Sequence, residues 1–227
     1  MDKKCNVVFI IAMKSEANTV LDNMINTTQQ IYFDNDIIFW ELFWYFTAVI
    51  ICGIWKVNAA RATQYAIDIL WAKKIINVWF AGGLRPEMVV WETYQIKAAV
   101  EYDFDLAELN GTEIWVLNEF DDKYLQTNTI EWFEKKILGT GDRFNDSKAD
   151  YELLVNSIKA DIRDMEWAAI VHTAKHAGVP VYIFKTISDV AGSGATTEQF
   201  LKNIEICAKN LKMNIKKIVD AVNSQIN

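Results

Sequence analysis

The chain has 227 residues, a formal net charge of -7 and a pI near 5.0, a size that suits one α/β domain over residues 1–227 with a large core and no linker. Asp and Glu outnumber Lys and Arg by 30 to 23, so the basic footprint that nucleic acid requires is missing and a small neutral or cationic ligand is easier to accommodate. Cys5, Cys52 and Cys207 are far apart in apolar segments, which predicts free buried thiols in a reducing compartment rather than disulfides or a metal site.

Residues 5–12 form a continuous apolar run, as expected of a central parallel strand covered on both faces. The run superficially resembles an export signal, but no small-residue cleavage site precedes Lys14-Ser15-Glu16. Ser15 is a candidate N-cap for a helix carrying Val20, Leu21, Met24 and Ile25. Glu16 then stands in a first helical turn at a strand's C-terminal end, and from position alone it reads as a carboxylate complementing the helix dipole.

Residues 30–52 predict an antiparallel ribbon with a turn at Asp34-Asn35-Asp36. The apolar run 39–55 touches the lower limit of a membrane span. Glu41 and Gly53 interrupt it, and its β-branched and aromatic residues fit two core strands, so no membrane insertion is expected.

From Val57 a helical stripe of Asn58, Ala59, Ala62, Tyr65, Ala66 and Ile69 leads to a strand over 75–80, ended by Ala81-Gly82-Gly83-Leu84. A Gly pair there permits a ligand to lie against the backbone. Further strands are expected over 93–104 and 114–117; residues 137–140 lead into Gly141-Asp142-Arg143-Phe144, and a helix is expected over 147–158. Residues 160–192 read strand, helix, strand. Asp164 and Glu166 precede an apolar helix to His176, and Asp189 stands just past the next strand. Both turning points would sit at the C-terminal edge of a parallel sheet, where open α/β folds place ligands. From Thr196 one amphipathic helix, with Phe200, Leu201, Ile204, Leu211, Ile215, Ile218, Val219 and Val222 on its apolar face, closes the chain. His172 and His176 have a zinc-compatible spacing but no evident third ligand, so helix-surface histidines and no metal are expected.

Nine Trp accompany only nine Gly in 227 residues, about 4% Gly against the roughly 7% usual in proteins. Several tryptophans stand where glycine is expected: Trp55 between strand and helix, Trp71 at a helix C-terminus, Trp79 just before Ala81-Gly82-Gly83. Exchanging all nine would give eighteen glycines, about 8%, an ordinary content. The expectation is that a UGA codon read as glycine in the source has been translated as tryptophan. The other reading is an aromatic-rich core.

Across nearly its full length the chain resembles the 5′-methylthioadenosine/S-adenosylhomocysteine nucleosidase family of the nucleoside phosphorylase superfamily. The resemblance rests on Ala12-Met13-Lys14-Ser15-Glu16, Gly53-Ile54-Trp55-Lys56-Val57-Asn58-Ala59-Ala60, Phe80-Ala81-Gly82-Gly83-Leu84, Thr140-Gly141-Asp142-Arg143-Phe144, Asp164-Met165-Glu166 and Ile187-Ser188-Asp189-Val190-Ala191, in the family's order. The family pattern has Gly at Trp55, commonly at Trp79, and a small residue at Trp167.

The resemblance implies a single-domain three-layer α/β sandwich with a central mixed, distorted-barrel sheet. It also implies a cytoplasmic homodimer and cofactor-free hydrolysis of the bond between adenine and ribose. In that scheme Asp189 is the general acid for the adenine imidazole ring, with a pKa raised by partial burial. Glu16 polarises the attacking water, and Glu166 accepts the ribose hydroxyls with Met165 packed against it. Phe144 stacks on adenine and the Asn145 backbone binds its edge. Ser188, Ala81 and Gly82 support acid and water, and Ile54 joins the substrate-binding set. Leu106 and Leu109 align with residues that reach the neighbouring subunit's 5′-substituent pocket. The family often has an aliphatic residue at Asn145 and an aromatic one near Thr197, which leaves contacts to the purine edge and 5′ tail open.

A phosphorylase would present phosphate with a glycine-rich loop and an arginine after the first strand. Here that loop carries Glu16, whose charge would repel phosphate, so hydrolysis is favoured. Lys185 and Arg143 are then expected to be solvated or to support other residues rather than bind an anion. Futalosine or AMP hydrolysis, and a silent nucleoside-binding protein, stay open as alternatives.

Overall fold

The structure, a computed structural model, describes residues 4–23, 25–32, 35–42, 45–144 and 147–225. The first apolar run becomes β1 (Val7–Ile11), buried at every position. It pairs in parallel with β4 (Tyr45–Ile51) on one side and β5 (Ile75–Gly83) on the other, which is why both of its faces must be apolar.

α1 (Lys14–Leu21) follows, and here the structure departs from the sequence expectation. Its N-cap is Met13, whose carbonyl accepts the first helical bond from the Ala17 N–H at 3.1 Å, so Ser15 lies inside the first turn. The helix stops at Leu21, and Ile25 opens β2 (Ile25–Tyr32) instead of extending the apolar stripe. Met24 lies outside the described residues, as does Asp34 of the expected turn.

β2, β3 (Asn35–Leu42) and β4 form the expected antiparallel ribbon. Glu41 belongs to β3 rather than separating two strands. Among the described residues no helix is long and apolar enough to cross a membrane.

α2 (Lys56–Asp68) leads into β5, which runs through Gly82 and Gly83 rather than ending before them. β6 (Thr93–Glu101), α3 (Ala107–Asn110), β7 (Leu125–Gln126) and β8 (Lys135–Thr140) follow. The expected strand over 114–117 is reduced to one bridge between Leu117 and Asp122, since Trp115 at φ 67° cannot be extended. α4 (Lys148–Glu152), capped by the Ser147 hydroxyl, continues as a π-helical turn over Leu153–Ile158. Then come β9 (Ile162–Asp164), α5 (Trp167–His176), β10 (Val181–Val190) and α6 (Thr196–Ser224).

All ten strands join one sheet in the order β10-β6-β8-β9-β5-β1-β4-β3-β2, with β7 against β6. β10 also pairs with β5, so β10, β6, β8, β9 and β5 close into a mixed barrel and the other strands extend from it as an open wing. α2 packs on α5, while α1 packs on α6 and α6 lies along β10. This is the expected three-layer sandwich with a distorted barrel. Cys5, Cys52 and Cys207 are buried and form no disulfide among the described residues.

The pairing of β10 with β5 slips between Ile187 and Asp189. A bulge turns successive side chains out of strict alternation. Asp189 therefore lies within β10, opposite Gly82, and not beyond the strand.

Candidate active site

Ile54, Ala81, Gly82, Phe144, Met165, Glu166, Ser188 and Asp189, all expected at the site, line one cavity of about 530 Å³. They come from the ends of β5, β8, β9 and β10 and the turn before α2, distant segments that the barrel brings to one rim. Asn145 lies outside the described residues. Leu106 and Leu109 do not line the cavity; Leu106 is the N-cap of α3 and Leu109 lies within α3, largely exposed. Glu16 is fully buried next to the cavity wall rather than on it.

At the bulge, the Ser188 hydroxyl donates to Asp189 Oδ1 at 2.7 Å and lies 3.3 Å from the Ala81 carbonyl. α6 supports this corner, because Asn203 Nδ2 donates to the Ser188 carbonyl at 2.8 Å. Gly82 lies close against the acid: a Cβ there would stand 2.9 Å from Asp189 Oδ2 and 3.1 Å from Arg163 Nε, so these side chains would have to shift.

Asp164 and Glu166 on the cavity wall, with Glu16 and the Lys185 ammonium group buried behind it, make a cluster of three carboxylates and one cation. Lys185 Nζ is 2.7 Å from Asp164 Oδ2, and both side chains are essentially solvent-free. Asp164 also accepts from the Thr140 hydroxyl at 2.7 Å, which in turn accepts the Ala168 N–H at 3.0 Å at the start of α5. Lys185 was expected to be solvated or supporting; it is fully buried, and it is the counter-charge of the cluster.

Glu166, the residue that opens α5, accepts the Trp55 N–H at 3.4 Å. Burial, and then repulsion from Asp164, raise its pKa to about 7 against the opposing pull of Lys185. Burial and then Glu166 push Glu16 well above the ordinary carboxylate range. One cation among three buried acids cannot keep all of them ionised at low cost, so the excess charge is relieved by proton uptake.

Sequence reasoning missed Arg163, Thr196 and Phe200, which also line the cavity. Arg163 donates to the Thr196 hydroxyl at 2.9 Å and ties β9 to the start of α6. An arginine one position before the acid pair was a usable signal; Phe200 was hidden in the core periodicity of α6. Arg143 lines the cavity as well, with its guanidinium 3.2 Å from Asp150.

The third ligand that the histidine pair lacked in sequence is supplied by Glu119, and Glu119, His172 and His176 could reach one ion. His172 Nδ1 lies 3.1 Å from Glu101 and Nε2 lies 2.7 Å from Glu119. Its pKa is raised, first by the bond to Glu101, with burial opposing. This is a carboxylate–imidazole network, and it shares no lining residue with the 530 Å³ cavity.

A closed mixed barrel with buried acids at its strand ends, around a pocket with both apolar and polar walls, is the architecture of the nucleoside phosphorylase class. The family profile of the Phosphorylase superfamily matches residues 6–222, and the chain belongs to that superfamily. A 5′-methylthioadenosine/S-adenosylhomocysteine nucleosidase of Arabidopsis thaliana is 24% identical, covering 96% of this chain and 92% of the relative. One from Buchnera aphidicola is 28% identical over 74% of this chain and 77% of its own. Among solved structures, the Helicobacter pylori nucleosidase of the same name has a TM-score of 0.87 at 21% identity, covering 96% of this chain and 98% of that one. The futalosine hydrolase of that organism has a TM-score of 0.87 at 22% identity, with 97% and 98% covered.

Proposed function

We propose that this protein hydrolyses the N-glycosidic bond of 5′-methylthioadenosine, S-adenosylhomocysteine or a related 5′-substituted adenosine, and releases adenine. The observation that carries this reading is the coexistence of Asp189, Glu166 and Glu16, all buried, around one nucleoside-sized cavity. A buried Glu16 in the first turn of α1, just after β1, gives an anionic co-substrate such as phosphate an unfavourable neighbour whenever it is ionised, whereas water is neutral.

Each acid has a distinct task. Asp189, held by Ser188, delivers a proton to an imidazole-ring nitrogen of adenine so that the base leaves neutral. Glu166 accepts the ribose hydroxyls, and its negative charge opposes the cation that develops on the sugar. Glu16 in its ionised form takes the proton of the attacking water, and the environment that raises its pKa makes that form a stronger base than an exposed carboxylate. Phe144 and Met165 supply apolar walls for the purine and ribose, and Lys185 limits the repulsion among the acids without touching the reacting atoms.

We place the protein in the cytoplasm, as a homodimer that works in the salvage of methionine-derived nucleosides. Buried free thiols support a reducing compartment. The exposed apolar side chains of Ile54, at the pocket, and of Val57 and Leu109 support a partner surface.

The deciding experiment is adenine release from 5′-methylthioadenosine in phosphate-free buffer. Release without phosphate is expected. Release only after phosphate is added would make the protein a phosphorylase, and no release from any 5′-substituted adenosine would remove the enzymatic reading.

A further inference from the structure

We infer that glycine occupies the nine tryptophan positions in the protein as its own cells make it, and that it forms backbone walls of the nucleoside pocket at 55 and 79 and leaves space behind Glu166 at 167. The first ground is backbone conformation. Six non-glycine residues among the described ones have positive φ, and four of these are Trp55 (92°), Trp71 (52°), Trp91 (71°) and Trp115 (67°). The other two are Asp121 and Lys159, and an Asp tolerates this region far better than a bulky aromatic does.

Trp55 is the extreme case. Its φ of 92° and ψ of 147° fall close to a region that glycine alone populates readily. That conformation aims the Trp55 N–H at Glu166 from the start of α2, so the unusual backbone serves the site. Trp71 lies in the reversal after α2, where the Ala72 N–H returns to the Ala66 carbonyl at 3.0 Å, a place for a left-handed glycine.

The second ground is what the indoles do. An aromatic-rich core would bury them, yet Trp55, Trp71, Trp91 and Trp132 are 46%, 58%, 45% and 63% exposed. Trp167 is buried but its Nε1 has no hydrogen-bond partner, and its ring lies 4.1 Å from the Lys185 ammonium beneath the pocket. Trp115 differs: its Nε1 donates to the Tyr102 carbonyl at 2.9 Å, although its backbone is left-handed.

The third ground is location. Trp55 and Trp79 line the cavity, and Trp167 follows Glu166 directly. Removing the side chains at 55 and 79 widens the pocket, and removing the one at 167 frees space beside the proposed sugar-binding carboxylate. This consequence for the pocket rests on the nucleosidase reading; the residue assignment does not.

Peptide mass spectrometry of the protein from its native cells is expected to show glycine at all nine positions, each written UGA in the coding DNA. Tryptophan in any of these peptides, or UGG at any of these codons, would overturn the inference. With recombinant protein, Trp55→Gly is expected to melt above Trp55→Ala, because only glycine relaxes at this φ; the reverse order would count against it. The chain with all nine Trp→Gly changes is expected to exceed the tryptophan form on the order of 100-fold in kcat/KM for 5′-methylthioadenosine. Equal rates would remove the pocket role. Glycine in the native peptides with no adenine release from either chain would leave the assignment standing and defeat the proposed function instead.

Discussion

Asp189 is set by three neighbours: the bulge that turns it inward, the Ser188 hydroxyl that fixes Oδ1, and the missing side chain of Gly82. Asp189→Asn keeps this geometry but removes the transferable proton, so turnover is expected to fall by roughly 10²–10⁴-fold, with an unchanged far-ultraviolet spectrum. Gly82→Ala places carbon against Asp189 and Arg163, and is expected to lower kcat by about 100-fold while changing KM little; steady-state kinetics on purified variants checks both. Glu166, with a pKa of about 7, is the pH-sensitive member. In the proposed mechanism its ionised form accepts the ribose hydroxyls, so substrate affinity is expected to weaken as pH falls below 7. KM measured from pH 5 to 8 tests this, and a flat profile would contradict the role of Glu166.

At the scale of elements, β9 and β10 are joined across the barrel by the pair Asp164 and Lys185. Lys185→Met leaves Asp164, Glu166 and Glu16 without their cation, a change expected to cost ~3–5 kcal/mol. Adding Asp164→Asn removes the acid left unpaired, and the double variant is expected to recover part of that loss. Urea unfolding of the two singles and the double provides the check; strictly additive losses would mean that the pair does not act as a unit.

For the whole molecule, buried acids make stability depend on pH. The folded pKa of Glu166 is raised from an ordinary 4.5 to about 7. The folded state therefore binds the extra proton between those values. Its stabilising effect is complete below 4.5 and is lost as pH rises through 7, an effect of roughly 3 kcal/mol from this group. Glu16, shifted in the same direction by burial, adds to that trend. Melting temperature is thus expected to decline from pH 5 to pH 8 in the free protein, and Glu166→Gln should flatten the decline. Leu109→Glu should leave the monomer fold intact and, if α3 lies at the partner surface, shift sedimentation toward the monomer.

The sequence by itself determined the buried strands β1, β5 and β10, because continuous apolar runs are compatible with few other environments, and it determined the long amphipathic α6. It also singled out Glu166 and Asp189 as acids at strand ends, and Glu16 only through the family resemblance; the three lie buried at or beside one cavity. Its failures lie where long-range contacts override local signals. Ser15 looked like a cap, but the helix starts two residues earlier at Met13; residues 114–117 looked like a strand, but the backbone turns at Trp115. Only the tertiary structure closed β10 onto β5, placed Lys185 among three acids and brought Arg163 and Phe200 to the cavity. A charge's worth depends on what surrounds it in space, and in a barrel those neighbours come from strands far apart in the chain.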